Sequence, residues 1–219
     1  MEKQGQLTTV NSARGSLPSR LSRRSHTFRP RYNFALLVLI FCEFAGIAPS
    51  ASPQRSRPEE YQVKSVYLFN FGRFVQWPTA SAKDDLFAIC VLGRDPFGPV
   101  LDSVLAGETI DNRKLVAKRI TNPHDVVGAG CRILFISSSE ANHLKDVLTS
   151  LGNSAILTVS DLPGFTTSGG MIQFVLQDNK VRFEVNLTAA EKAGLTLSSQ
   201  LLKVATEIRK DSRDIGAVR

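Results

Sequence analysis

The sequence predicts an α/β fold: a single domain with a mostly parallel sheet flanked by helices, completed by a C-terminal antiparallel hairpin plus helix. Three observations lead there. Short continuous apolar runs at 86–92, 131–136 and 155–159 read as strands buried on both faces. Segments with helical spacing fall between them, the alternation that produces parallel sheets. Near the C-terminus the period changes. Val181, Phe183 and Val185 alternate with Arg182, Glu184 and Asn186, a half-buried strand that follows the tight-turn pair Asp178-Asn179.

Residues 1–51 read as a secretory signal and not as part of the fold. Arg20, Arg23, Arg24, Arg29 and Arg31 precede an apolar run from Phe34 to Phe44. That run is about 11 residues, roughly half of what a helix needs to cross a bilayer. Small residues and Pro follow, placing cleavage near Ser50-Ala51, with an uncleaved anchor of the same topology as the competing reading. Phe41 is too bulky to precede a lipidated Cys42. A Pro/Ser/Arg linker at 52–57 leads into the domain at 58–208, and 209–219 is a polar tail.

Within the domain, Pro58-Glu59-Glu60 opens a helix with Pro early and acids in the first turn. Val63, Val66, Tyr67, Asn70, Phe71 and Phe74 continue it at helical spacing until Trp77-Pro78 stops it. Leu86–Leu92 is the first strand, followed by a Gly/Pro loop and a short helix reaching Leu105. Lys114–Ile120 and Cys131–Ile136 are strands, Ser139 starts a helix closed by Gly152, and Ala155–Val159 is a fourth strand. The hairpin pairs 171–176 with 181–186. After a short helical segment at 188–193, Ser198 or Ser199 caps a last helix whose Leu201, Leu202, Ala205 and Ile208 share a face.

Composition narrows the function. The first 50 residues hold seven Lys/Arg and two acids; without them 20 basic and 18 acidic residues remain, a net charge of +2 against +7 for the whole chain. The basic excess thus belongs to the signal, and nucleic-acid binding is disfavoured. Cys90 and Cys131 survive export into an oxidising compartment and read as a structural bridge between neighbouring strands. Two buried free thiols, or a redox-active pair, are the competing readings; no Cys-x-x-Cys turn supports the latter.

Catalysis has little to stand on. His124 and His143 read as surface histidines, no metal-ligand spacing or nucleophile elbow is present, and no cofactor or metal is expected. Two forms of binding remain. In one, Tyr67, Phe71, Phe74 and Trp77 anchor a protein partner, with Arg182, Glu184 and Asn186 as polar rim. Core packing is the plainer reading of the aromatic stripe, and a solvated strand face that of the polar three. In the other, a small ligand occupies a crevice beyond the C-terminal strand ends, near Gly93–Gly98 and Ser137–Ser139.

Four blocks carry a resemblance. Residues 170–205 (GMIQFVLQDNKVRFEVNLTAAEKAGLTLSSQLLKVA), Tyr61–Pro78, Ile89–Gly93 and Cys131–Ile136 occur in the order found in the YfiR family of exported bacterial proteins, which the chain resembles over about 58–208. Cys90 and Cys131 match that family's cysteine pattern; the second disulfide some relatives carry near the hairpin is missing. The resemblance implies a periplasmic homodimer without catalytic chemistry. It implies repression of an inner-membrane diguanylate cyclase through the cyclase's periplasmic sensory domain, or service to another sensor. An OmpA-like outer-membrane lipoprotein would sequester the repressor.

Overall fold

Helix α1 (Arg57–Phe74) opens the part of the chain that the computed structural model describes, residues 57–78 and 85–210. The expected signal at 1–51, nearly all of the expected linker and most of the expected tail lie outside those residues. Glu59 and Glu60 sit in the first turn of α1 and Arg73 in its last, each sign matched to the helix dipole. Then follow β1 (Val75–Gln76), β2 (Leu86–Leu92), α2 (Pro99–Leu105), β3 (Thr109–Ile110), β4 (Arg113–Ile120) and β5 (Cys131–Ile136). A 3-10 turn (Ser138–His143) leads into α3 (Leu144–Leu151). The rest comprises β6 (Leu157–Ser160), β7 (Ile172–Gln177), β8 (Lys180–Asn186), α4 (Leu187–Lys192), β9 (Thr196–Leu197), α5 (Ser199–Val204) and β10 (Glu207–Arg209).

Eight strands form one sheet in the order β10-β8-β7-β6-β5-β2-β4-β3. Parallel pairing joins β2 to β4 and to β5, β5 to β6, and β6 to β7. The β7–β8 hairpin is antiparallel and turns through Asp178 and Asn179, both at positive φ, the geometry that matches strand twist in a two-residue connection. From β2 the chain moves to β4 on one side and then returns past it to β5 on the other. The topology therefore reverses between β2 and β5.

Two cores cover the two faces, which is why β2 is apolar throughout. Ile89 and Val91 point to the side of α1 and α2, where Leu68, Phe71, Leu101, Phe135, Phe174 and Phe183 are buried. Ala88, Cys90 and Leu92 point to the other side, against Leu134, Ile136, Val147, Leu151 and Phe165. There the Cys90–Cys131 disulfide joins the neighbouring strands β2 and β5, with Cα atoms 5.8 Å apart. Arg132 is an extra residue in β5: Ala88 lies opposite Cys131 while Ile89 lies opposite Ile133.

Three expectations are corrected. The last helix ends at Val204, and residues 207–209 form β10, parallel to β8, because Ala205 is extended and Thr206 gives both its N–H and hydroxyl to the Phe183 carbonyl. The segment from Ser138 to His143 is 3-10, with Ser137 as cap, and only Leu144–Leu151 is α-helical. The fourth strand runs Leu157–Ser160, shifted from 155–159. A small antiparallel pair, Val75 with Leu197 and Gln76 with Thr196, had no signal in the sequence; it ties the end of α1 to the chain entering α5.

Candidate functional site

The crevice expected beyond the strand ends is present. Gly93 follows β2, Ser137 follows β5, and the chain is stitched across them: Gly93 N–H to the Ile120 carbonyl at 3.0 Å, Ser137 N–H to the Leu92 carbonyl at 3.0 Å, and Arg94 N–H to Ser139 Oγ at 2.9 Å. Above this seam opens a cleft of about 650 Å3 at the reversal between β2 and β5, where open α/β sheets hold ligands. Tyr61 and Phe97 form its apolar floor, their rings edge-to-face at 5.3 Å, with Phe97 resting in turn on Phe135. Arg94, Ser137, Ser138 and Ser139 line the polar side.

Ionic clusters fix both flanks. Buried Lys64 of α1 reaches Glu60 at 2.5 Å and Asp161, just past β6, at 2.6 Å, while the Tyr61 hydroxyl donates to Asp161 at 2.8 Å. On the other flank Arg119 of β4 grips Asp95 through Nε at 2.8 Å and Asp102 with both terminal nitrogens, and donates to the Gly98 carbonyl at 2.8 Å. The Arg119 hydrogen bonds hold the Asp102 carboxyl below the usual carboxylate range, against a smaller opposing effect of burial. Hydrogen bonding to Asp102 in turn raises the Arg119 guanidinium above its ordinary value, so it stays charged.

The aromatic residues singled out in α1 take three different positions. Tyr67 is half-buried, its ring within 6.0 Å of Phe71, Phe174 and Phe183 and its hydroxyl 3.4 Å from the Val181 carbonyl. Phe71 is buried in the same cluster. Phe74 is 36% exposed. Trp77 is half-buried, edge-to-face on Phe87 at 5.2 Å, with Nε1 meeting no acceptor among the described residues. The sheet separates the polar trio from this cluster. Arg182 is exposed. Glu184 accepts from the Thr166 hydroxyl at 3.3 Å. Asn186 caps α4 by accepting from Ala189 N–H and donates to the Thr166 carbonyl.

Sequence reasoning did not single out Tyr61, Lys64, Arg94 or Asp161. A usable signal existed: Arg94 and Asp161 stand just past the C-terminal ends of apolar runs, where parallel strands place functional groups. Among the described residues no group of His, Cys, Asp and Glu could hold a metal ion, and no helix is long and apolar enough to cross a membrane.

The family model DUF4154, described as YfiR/HmsC-like, matches residues 61–206. The chain belongs to the YfiR/HmsC-like family. The match runs from Tyr61, inside α1, to Thr206, at the edge of β10, and so spans both the crevice and the aromatic cluster of this family member. Two solved structures match part of the chain. One is a conserved domain protein of Vibrio cholerae, 13% identical, covering 56% of this chain and 54% of its own, with a TM-score of 0.43. The other is an ABC domain from Streptococcus pneumonia in complex with L-Trp, 12% identical, covering 68% and 60%, with a TM-score of 0.47. In both cases the likeness spans less than two thirds of the other chain.

Proposed function

We propose that this protein is exported to the periplasm and represses an inner-membrane diguanylate cyclase by binding the cyclase's periplasmic domain, so lowering cyclic-di-GMP. Membership of the YfiR/HmsC-like family over residues 61–206 supports a periplasmic regulator of that type, and it carries the reading. Release by an OmpA-like outer-membrane lipoprotein and pairing with a second copy complete the proposal. Docking centres on the C-terminal half of α1, where Phe74 is exposed and Tyr67 and Trp77 are half-buried, with Phe71 stiffening the ridge from below. Arg182, Glu184 and Asn186 add polar contacts on the other face of the hairpin.

Repression requires that the bound protein prefer the inactive cyclase, since equal affinity for both states shifts nothing. Deleting the gene raises cyclic-di-GMP and surface adhesion, and a tagged copy retains a membrane cyclase through purification. Unchanged nucleotide in the deletion strain, with no cyclase retained, would falsify this function. A second reading, a ligand receptor feeding a different membrane sensor, is favoured by the crevice at the strand ends.

A further inference from the structure

We infer that the crevice between the ends of β2 and β5 binds a small organic anion: a carboxylate or phosphate monoester carrying an apolar ring or chain. The argument is one of hydrogen-bonding inventory. Arg94 is the one ionised side chain lining the cleft, and its guanidinium has no acceptor among the described residues. Ser137 is 4% exposed; its hydroxyl accepts a 3.4 Å bond from Ser139 N–H, but its own hydrogen has no acceptor there. The Ser138 hydroxyl, exposed at the rim, likewise has no partner among the described residues.

The acceptors that could have satisfied these groups are already engaged. Asp95 is held by Arg119, Glu140 takes the Ser139 hydroxyl, and Asp161 takes Lys64 and Tyr61. What the cleft has to spare is therefore two hydroxyls able to donate beside one exposed cation, which favours an anion with several acceptor oxygens. A guanidinium fork with two hydroxyls suits the planar carboxylate or the tetrahedral phosphate alike. Beside it the edge-to-face Tyr61–Phe97 floor is apolar and locked on Phe135, so the ligand must also present apolar surface. The cyclase reading is not needed for this inference.

The test is an NMR titration of the purified protein with phenyl phosphate and with benzoate, against inorganic phosphate and neutral benzyl alcohol. Expected are saturable shifts at the amides of 93–97 and 137–139 with millimolar dissociation constants for at least one aromatic anion. Inorganic phosphate and benzyl alcohol bind at least tenfold more weakly. Arg94→Gln, a surface change that leaves the melting temperature unaltered, weakens the anion at least tenfold. The stronger of the two anions identifies the acid. Shifts confined to other regions, equal binding of benzyl alcohol or of inorganic phosphate, or undiminished affinity in Arg94→Gln would overturn the inference.

Discussion

Gly93 has two reasons to be glycine. Its φ is +85°, and a Cβ there would collide with Ser139 Oγ and Glu140 Oε1. Gly98 shares the first reason only: φ is +54° and the space around it is open. Gly98→Ala is expected to cost about 1–3 kcal/mol in urea unfolding from its backbone alone, and Gly93→Ala more than that, because the collision adds to it. Equal losses would show that the Ser139–Glu140 contact yields freely. At the same scale, Asp102 titrates below its unfolded value because Arg119 binds its charged form. The stability from that pair is whole above the ordinary carboxylate range and disappears as pH falls through the lowered value. Arg119→Met should therefore flatten the acid limb of a plot of urea midpoint against pH between neutrality and pH 3. Such an effect is small, since Asp102 is half exposed.

Among the elements, the hairpin is the one most fully written in the chain. Alternation along 181–186 set the inward face, and Asp178-Asn179 set the turn. Asn179 holds φ at +57°, which asparagine tolerates and a β-branched residue does not. Asn179→Val should lower stability by about 1–2 kcal/mol and Asn179→Gly should not lower it, both read by thermal melting; a neutral valine would mean the turn relaxes. The last helix shows the opposite case. Leu201, Leu202, Ala205 and Ile208 fit a helical stripe, yet Thr206 is drawn out of it by the Phe183 carbonyl, and Ile208 ends 45% exposed in β10. Strands of two or three residues such as β1, β9 and β10 carry no period of their own. Their existence depends on partners more than twenty residues away in sequence, so local pattern cannot reveal them.

For the whole molecule, the disulfide spans 41 residues and encloses α2, β3 and β4, the entire flank of the sheet beyond β2. The chain-entropy account gives it about 4 kcal/mol. Reduction should lower the urea-unfolding free energy by that order without changing the α/β signature of the far-ultraviolet circular dichroism spectrum; an unmoved midpoint would remove the bridge's role in stability. Fold class was legible because three apolar runs and one alternating run fix both the direction and the covering of the sheet. The crevice was legible in outline, since open α/β folds hold ligands beyond the C-terminal ends of their strands, here just after 86–92 and 131–136. Its chemistry was not. That Arg94, Ser137 and Ser138 keep unused donors depends on where Arg119, Lys64 and Ser139 send theirs, and no spacing in the sequence encodes such pairing.

The contact of Tyr67 and Phe71 with Phe174 and Phe183 has a consequence for how the chain matures. Residues 87–105 can cover part of the first helix early, but the faces of Tyr67 and Phe71 that meet Phe174 and Phe183 stay unshielded until synthesis is nearly over. Such long loop closures delay the committing step of folding. The last aromatic contacts of the first helix therefore close only when the hairpin has been made, which puts its final packing late in folding.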